Sequence, residues 1–341
     1  QFFNGNVLAE KTTINILMRL PDLTENLQPE EYQIFYEEDG SFDLMIIDER
    51  SLFVDISFME TYYMELGFGR NPSKQHILNL SKYIDPELLK FHDPKILKDG
   101  YINDDLYALP YETDFDLLYY RPKDTISQNL VKKMESVNWD EMVYQIMEID
   151  NYPLEMAISH DNDLFNFFFE YTSNKYNLTK AYDPNYFKVF YNDTANDIFD
   201  SFFNVVATYT NNTIDSALFL PYEDALLNFI NGESIFFRGK ASHHHLFSSL
   251  SDDTMENTEE INTESNFSFA STLPPKYISA KFNKYLIVNK HSEVDKDLLI
   301  DVALELTSKN MQLYRANNLG NIPTFDFSSF STTDINSNTN Q

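Results

Sequence analysis

The stretch from residue 98 to residue 124 constrains the fold of this 341-residue chain more than any other part. Its first half holds two short apolar runs, Tyr101-Ile102 and Leu106 to Leu109, on either side of an Asn-Asp-Asp corner. That pattern predicts a β-hairpin. Pro110 follows at once. Because proline has no backbone N–H, we expect the strand to leave its first sheet at this residue.

The second half of the stretch alternates apolar and acidic side chains. The acidic ones are Glu112, Asp114 and Asp116. Successive side chains of a strand point to opposite faces, so an extended segment would carry all three carboxylates on one face. Such a strand, entered through a proline, is expected where a chain crosses between two lobes beside a wet cleft. An ordinary half-exposed edge strand is the alternative.

The same stretch resembles the crossover segment of extracellular solute-binding proteins of the maltose-binding-protein-like type. Here it reads LPYETDFDLLYY, with Asp114 at the position that faces the ligand in that family. Similar short matches occur in the family's order at Ser41–Arg50, Leu78–Ile84, Asn138–Met142, Asn228–Gly239, Leu273–Pro275 and Gly320–Pro323. Each match is weak by itself, and their shared order carries the resemblance.

The resemblance implies an α/β chain with a two-lobe, type II periplasmic-binding-protein-like fold and a cleft between the lobes. The first lobe would be discontinuous and comprise residues 1–112 and 274–327. The second lobe would span residues 113–273, and residues 328–341 would form a low-complexity tail. The length agrees, because 341 residues exceed what one hydrophobic core fills.

Two departures from the family leave the completeness of the ligand site open. Between the first predicted strand, Thr13 to Leu20, and Glu31 there is too little chain for the helix that the family usually has there. After Pro323 the family usually continues through further helices of the second lobe. A scaffold that keeps the fold but has lost its ligand is therefore one of the alternatives.

Composition excludes several classes of function. The formal net charge of -29 makes the surface repel phosphate backbones, so nucleic acid is not an expected partner. The chain has no cysteine, which excludes disulfides, thiolate metal sites and cysteine nucleophiles. No cofactor is predicted.

Candidate ligand-binding residues follow predicted strands. Asp48, Glu49 and Arg50 come directly after the buried strand Leu44 to Ile47, at the end where open α/β sheets bind ligands. A carboxylate beside a guanidinium suits paired sugar hydroxyls, and the alternative is a surface salt bridge. The register adds Tyr111 and Asp114 on the crossing strand, and His160, Asp161, Arg238 and His243 on the second lobe. A structural ion pair is the alternative for Arg238, and a capped turn for His160-Asp161.

The run His243-His244-His245 invites a metal-binding interpretation. Consecutive residues of a strand point to opposite faces, so three in a row seldom chelate one ion, and we predict no metal site. Glycosylation sequons suit a secreted eukaryotic surface, although the Asn-rich composition alone would generate several. They lie at Asn79, Asn177, Asn192, Asn211 and Asn266.

Three helices are predicted from local patterns. Asn138, with Glu141 three residues later, indicates a capped helix start at Trp139. The run FNFFFEY at 165–171 predicts a buried helix of the second lobe. The segment Glu293 to Tyr314 predicts a packed helix followed by a loop.

The predicted function is extracellular capture of a small polar ligand, a sugar or oligosaccharide, by lobe closure. The ligand would pass to the membrane subunits of an ABC transporter, or the chain would be the ectodomain of a fused membrane receptor. The expected location is extracellular or at the cell surface, or the periplasm of a bacterium. The rival class is a glycoside hydrolase that uses a carboxylate pair such as Asp48 and Asp114.

Overall fold

The computed structural model describes residues 42–49, 52, 77–102, 104–146, 152–159, 161–178, 185–191, 195–210, 218–247 and 268–329. The predicted strand Thr13 to Leu20 lies outside these ranges. Within them, no helix is both long enough and apolar enough to span a lipid bilayer.

Strands and helices both contribute to the fold. The strands are β1 (Leu44–Asp48), β2 (Tyr101–Ile102), β3 (Asp105–Leu106), β4 (Ala108–Tyr120), β5 (Tyr152–Met156), β6 (Ser234–Lys240), β7 (Ala270–Thr272) and β8 (Lys281–Val288). The helices are α1 (Pro94–Asp99), α2 (Thr125–Val131), α3 (Trp139–Ile146), α4 (Asp161–Tyr176), α5 (Asn185–Tyr191), α6 (Ala195–Thr210), α7 (Tyr222–Asn231), α8 (Lys296–Thr307) and α9 (Lys309–Leu319).

The chain divides into two compact units. The first unit comprises the described residues within Gln1–Lys90, Leu97–Leu109 and Tyr285–Glu305. The second comprises those within Phe91–Ile96, Pro110–Lys284 and Leu306–Gln341. The observed units change at residues 90/91, 96/97, 109/110, 284/285 and 305/306. The predicted lobe boundaries at residues 112 and 274 stay a prediction.

In the first unit, short backbone ladders hold the chain around the end of β8. The Asn289 N–H donates to the Asp43 carbonyl oxygen at 2.9 Å, and the Leu78 N–H donates to that of Val288 at 2.9 Å. Tyr285, Leu286, Ile287 and Val288 are all fully buried. Burial on both faces explains why this segment reads as a continuous apolar run.

The predicted hairpin is present in the first unit as β2 and β3, which pair antiparallel. Its corner places Asp104 at φ 67°, a left-handed conformation that Asp tolerates better than most residues. The Gly100 carbonyl oxygen accepts the N–H groups of Tyr107 and Ala108 at 3.0 and 3.2 Å. A Cβ at Gly100 would lie 2.2 Å from the Ala108 carbonyl oxygen, so only glycine fits there.

The sequence predicts that the chain leaves its first sheet at Pro110, and the boundary between the two units lies between Leu109 and Pro110. β4 runs without interruption from Ala108 to Tyr120, and Pro110 is buried inside it. Three residues after Pro110, the Thr113 N–H donates to the Ile322 carbonyl oxygen at 3.0 Å. The missing donor of the proline therefore does not interrupt the strand.

The second unit is built on a mixed sheet. β4 pairs antiparallel with β6, with Asp116 opposite Lys240, and also antiparallel with β7. β5 pairs parallel with β6, with Leu154 opposite Phe236. Parallel neighbours bring the carboxyl ends of β5 and β6 to one edge of the sheet.

Helices cover this sheet and supply the core of the second unit. Asn138 caps α3 reciprocally with Glu141, as predicted: the Glu141 N–H donates to Asn138 Oδ1 at 2.8 Å, and the Asn138 N–H to Glu141 Oε2 at 2.9 Å. Trp139 is fully buried and meets Phe167 and Tyr209 edge-on, with ring centroids 5.1 and 5.2 Å away. The predicted helix at 165–171 is part of α4.

The segment Glu293 to Tyr314 differs from its prediction, because two helices replace a helix and a loop. Thr307 ends α8 and Lys309 begins α9. The Ser308 hydroxyl accepts the Met311 N–H at 3.1 Å and so caps the second helix. The pattern of apolar residues did not reveal α9 because that helix is mostly polar.

A buried polar chain ties α9 to residues 91–96 within the second unit. His92 Nδ1 lies 2.6 Å from Thr324 Oγ1, which lies 3.1 Å from Gln312 Oε1. Gln312 also donates from Nε2 to the Thr307 carbonyl oxygen at 2.8 Å. Burial lowers the pKa of His92 from 6.5 to about 4.

We expect His92 to make the fold acid-sensitive. The unfolded chain binds the proton first as the pH falls, so the free energy of unfolding decreases between pH 6.5 and about pH 4. The full loss is about 3 kcal/mol. Urea unfolding from pH 7 to pH 4 should show a smaller decrease in His92→Asn than in the parent protein. His291→Asn, on the surface of the first unit, is the control and should keep the parent slope.

Candidate functional site

Charged side chains of the second unit meet at the carboxyl ends of β5 and β6. β6 ends at Lys240, and β5 leads into α4, whose first turn contains Asp163. Lys240 Nζ lies 2.6 Å from Asp163 Oδ1. In open α/β sheets, ligands bind at this edge of the strands.

A buried ion network lies beneath this edge. Arg238 Nη2 donates to Asp116 Oδ2 at 2.6 Å and to Glu170 Oε2 at 3.1 Å. Lys240 Nζ lies 3.0 Å from Asp116 Oδ1. Asp116 therefore joins both cations of β6, and we call these four residues with Asp163 the strand-end network.

The local sequence places these side chains on facing surfaces. Arg238 and Lys240 are two residues apart on β6 and so share one face of the sheet, and Asp116 stands opposite Lys240 in the register. Asp163 and Glu170 are seven residues apart on α4, which places them on one side of the helix. One face of α4 thus meets one face of the sheet.

Burial and mutual charge set the ionisation of the network. Burial lowers the pKa of Arg238, but the facing Asp116 and Glu170 outweigh it, so its pKa is raised overall. Burial raises the pKa of Glu170, which shares the guanidinium with Asp116. The guanidinium also lies 4.8 Å above the ring of Phe167, where a cation–π contact helps to hold the charge.

An aromatic ring adjoins the network. Lys240 Nζ lies 4.3 Å from the ring centroid of Phe282, which is half-buried. Ser279 joins the same part of β4, because its Oγ donates to the Asp116 carbonyl oxygen at 2.8 Å and accepts the Asp116 N–H at 2.9 Å. The site therefore combines charged, hydroxyl and aromatic groups.

Asp114 holds the turn that follows β6. It is half-buried, and its carboxylate accepts the Ser242 hydroxyl at 2.5 Å and the Ser242 N–H at 3.2 Å. The Phe115 N–H donates to the same carboxylate at 2.9 Å. Burial raises the pKa of Asp114, and these hydrogen bonds oppose the shift.

His243 lies in that turn, and its tautomer follows from one hydrogen bond. The Lys240 N–H donates to His243 Nδ1 at 2.9 Å. Burial, with Lys240 nearby, lowers the pKa of His243 to about 4. The neutral ring accepts at Nδ1, so it carries its proton at Nε2, where it can donate to a ligand.

Tyr111 and Glu112 contact residues of their own unit. The Arg315 guanidinium lies 3.9 Å from the ring centroid of Tyr111 and donates from Nη2 to the Tyr111 carbonyl oxygen at 2.8 Å. Glu112 pairs with Lys284 Nζ at 2.7 Å and accepts a hydrogen bond from Asn321. A ligand contact by Tyr111 stays a prediction.

The other predicted site residues fall in three places. Arg50 and His160 lie outside the described residues, and of Asp161 only the backbone, at the start of α4, is described. Asp48 and Glu49 lie at the end of β1 in the first unit, both half-buried. Arg238 lies inside the strand-end network, as the structural alternative expected, and its ligand role stays a prediction.

Sequence reasoning missed several residues of the site: Asp116 as the centre of the network, Asp163, Glu170, Lys240 and Phe282. A signal for two of them existed, since Asp163 and Glu170 share one side of a helix and flank its apolar run Phe167 to Phe169. Pairing them with Arg238 and Lys240 depends on how α4 packs on the sheet, which is a tertiary contact between distant parts of the chain.

The metal and glycosylation predictions concern His243 to His245 and five sequons. No group of three potential metal-ligating side chains is found among the described residues. Asn79 is half-buried and accepts the Ser81 N–H at 3.0 Å through its side chain. Asn177 is exposed and accepts from Lys276 Nζ at 3.2 Å. The other three sequons lie outside the described residues.

Comparison with solved structures defines the fold class. The chain has the two-lobe α/β fold of type II periplasmic binding proteins, the class to which many sugar-binding subunits of ABC transporters belong. Neither a scan against protein-family models nor a search of curated proteins finds a match. The likeness is therefore one of fold.

Three solved structures illustrate this likeness. Maltose-bound MalE3 of T. maritima has a TM-score of 0.61 and 19% identity, over 90% of this chain and 72% of that one. A Thermotoga lettingae solute-binding protein bound with α-D-tagatose has a TM-score of 0.58 and 14% identity, over 87% and 70%. Lmo0181 of Listeria monocytogenes, in complex with cycloalternan, has a TM-score of 0.56 and 11% identity, over 88% and 70%.

We expect Arg238→Met to destabilise the protein by about 3–5 kcal/mol, because Asp116 and Glu170 would then be buried without their cation. The matched control is Lys90→Met. Lys90 pairs with Glu87 at 2.6 Å, but both side chains are 67% exposed. Its loss should cost less than about 1 kcal/mol. Equal urea midpoints for the two variants would show that the buried network does not stabilise the fold.

Proposed function

We propose that this chain captures a sugar or oligosaccharide outside the cell and does not transform it. The observation that supports this most is the strand-end network beside Phe282, at the carboxyl ends of β5 and β6. The chain shares its fold with proteins whose solved structures hold maltose and α-D-tagatose. Polar groups at fixed positions beside an aromatic ring are the usual composition of such sites.

Two partly accessible groups of the second unit suit a ligand with many hydroxyls. Asp163 accepts hydrogen bonds, and His243 can donate from Nε2. The side chain of Asp163 is 30% exposed, whereas that of Arg238 is only 2% exposed. In this proposal Arg238 therefore acts from beneath, by holding Asp116, and does not touch the ligand.

Other ligand contacts are proposed from the sequence for each unit by itself. In the first unit they are Asp48, Glu49 and Arg50, and in the second Tyr111, Asp114, His160 and Asp161. The proposed partners are the membrane subunits of an ABC transporter or a fused membrane receptor domain. The proposed location is extracellular, at the cell surface or periplasmic. No cofactor takes part.

The rival proposal is a glycoside hydrolase, and one experiment separates the two. The protein is mixed with maltose, D-tagatose, D-mannitol and longer maltodextrins, and both its melting temperature and the sugars are followed. A binding protein raises its melting temperature with at least one sugar and leaves that sugar intact. Chain shortening or hydrolysis would favour the enzyme. A melting temperature that no sugar changes would favour the non-binding scaffold.

Asp114 can be tested in the same assay with a matched control. If its carboxylate contacts the ligand, Asp114→Ala should weaken binding by about 1–3 kcal/mol. Ser242→Ala removes the partner of the same carboxylate without removing the carboxylate itself. We expect Ser242→Ala to bind nearly as well as the parent protein. Equal losses in both variants would mean that Asp114 acts only by holding the turn after β6.

A further inference from the structure

The charges of the strand-end network differ in how far solvent reaches them. The side chains of Arg238 and Asp116 are 2% and 1% exposed. That of Lys240 is 18% exposed, and its Nζ atom itself is buried. The side chain of Asp163 is 30% exposed. Both cations therefore lie beneath the surface, and the charge that a ligand meets is a carboxylate.

The cations of the network are all paired with carboxylates. Arg238 and Lys240 contact Asp116, Asp163 and Glu170, whose pKa is raised by burial, and Asp114 lies half-buried beside the network. Lys284, whose charge reaches Asp114, has a side chain that is 45% exposed, but it is paired with Glu112 at 2.7 Å. The chain as a whole carries a formal net charge of -29. An anionic group on a ligand would therefore find its cationic partners already paired.

We propose that this site selects its ligand by charge: it accepts sugars that are neutral or carry an ammonium group, and it excludes sugars that carry a phosphate or a carboxylate. Asp163 is the residue that sets this selectivity. The inference rests on the proposed function and adds a substrate class to it.

The physics of the selection is simple. A hydroxyl or an ammonium donates to a carboxylate, and the ammonium gains a charge-assisted hydrogen bond. A phosphate or carboxylate near Asp163 meets like charge at short range. At a partly exposed position this repulsion corresponds to about a tenfold loss of affinity or more. Because Asp163 is partly exposed, added salt screens the repulsion.

The test compares matched ligands on the full chain. Titration calorimetry is carried out with maltose, D-tagatose and D-mannitol and with the monophosphate ester of each. We expect each ester to bind about tenfold or more weakly than its parent sugar at low salt. The difference should shrink in 0.5 M NaCl. That salt series needs no variant, so it tests the proposal even if a substitution impairs folding.

Two isosteric variants locate the effect. Asp163→Asn should reduce the difference in affinity between each sugar and its phosphate ester. Asp197→Asn removes the same charge from an exposed position on α6 and should leave that difference unchanged. Their melting curves verify that both are folded.

If the esters bind as tightly as the sugars, the inference is overturned while the proposed function stands. If Asp163→Asn leaves the gap unchanged, Asp163 does not set it. Binding of neither form of any probe overturns the proposed function, and this inference with it.

Discussion

The buried pairing of Arg238 with Asp116 and Glu170 is the interaction on which the second unit depends most. It joins β6, β4 and α4 through one guanidinium, with donor–acceptor distances of 2.6 and 3.1 Å. Buried charges are expensive to desolvate, so such a network is weak evidence for stability in general. Once it is assembled, however, removal of any partner leaves an uncompensated charge. The network therefore fixes which face of α4 meets the sheet, since any other orientation would bury these charges unpaired.

This constraint also positions the candidate site. Lys240 lies two residues after Arg238 on β6, and Asp163 lies seven residues before Glu170 on α4. Fixing Arg238 against Glu170 therefore also places Lys240 and Asp163 at the same edge of the sheet. Lys240 then pairs with both Asp116 and Asp163. The buried pairs of Arg238 with Asp116 and Glu170 thus orient the partly exposed pair of Lys240 with Asp163. A partly exposed carboxylate held in this way presents a fixed acceptor, which a mobile surface acid would not.

The fold was largely predictable from the sequence, and the site only in part. The hairpin, the Asn138 cap and the helix at 165–171 are local, so turn residues, cap residues and periodicity reveal them. Pro110 marked the change of unit, which lies between Leu109 and Pro110, although β4 continues through it. α9 was missed because its sequence is polar and its start depends on the single cap residue Ser308. Arg238 and Asp116 were each visible, but their pairing depends on strand register, which is a tertiary property.

Asp116 and Asp163 differ in how far solvent reaches them, and this difference decides what each carboxylate can do. Asp116 and Asp163 both contact Lys240, yet Asp116 is 1% exposed and also pairs with Arg238, whereas Asp163 is 30% exposed. Full desolvation makes the first a structural residue, since no ligand can reach it. Partial exposure leaves the carboxylate of the second, which pairs with Lys240, accessible to a hydrogen-bond donor. The same residue type thus serves stability in one position and, in the proposed function, recognition in the other, and depth below the surface decides which.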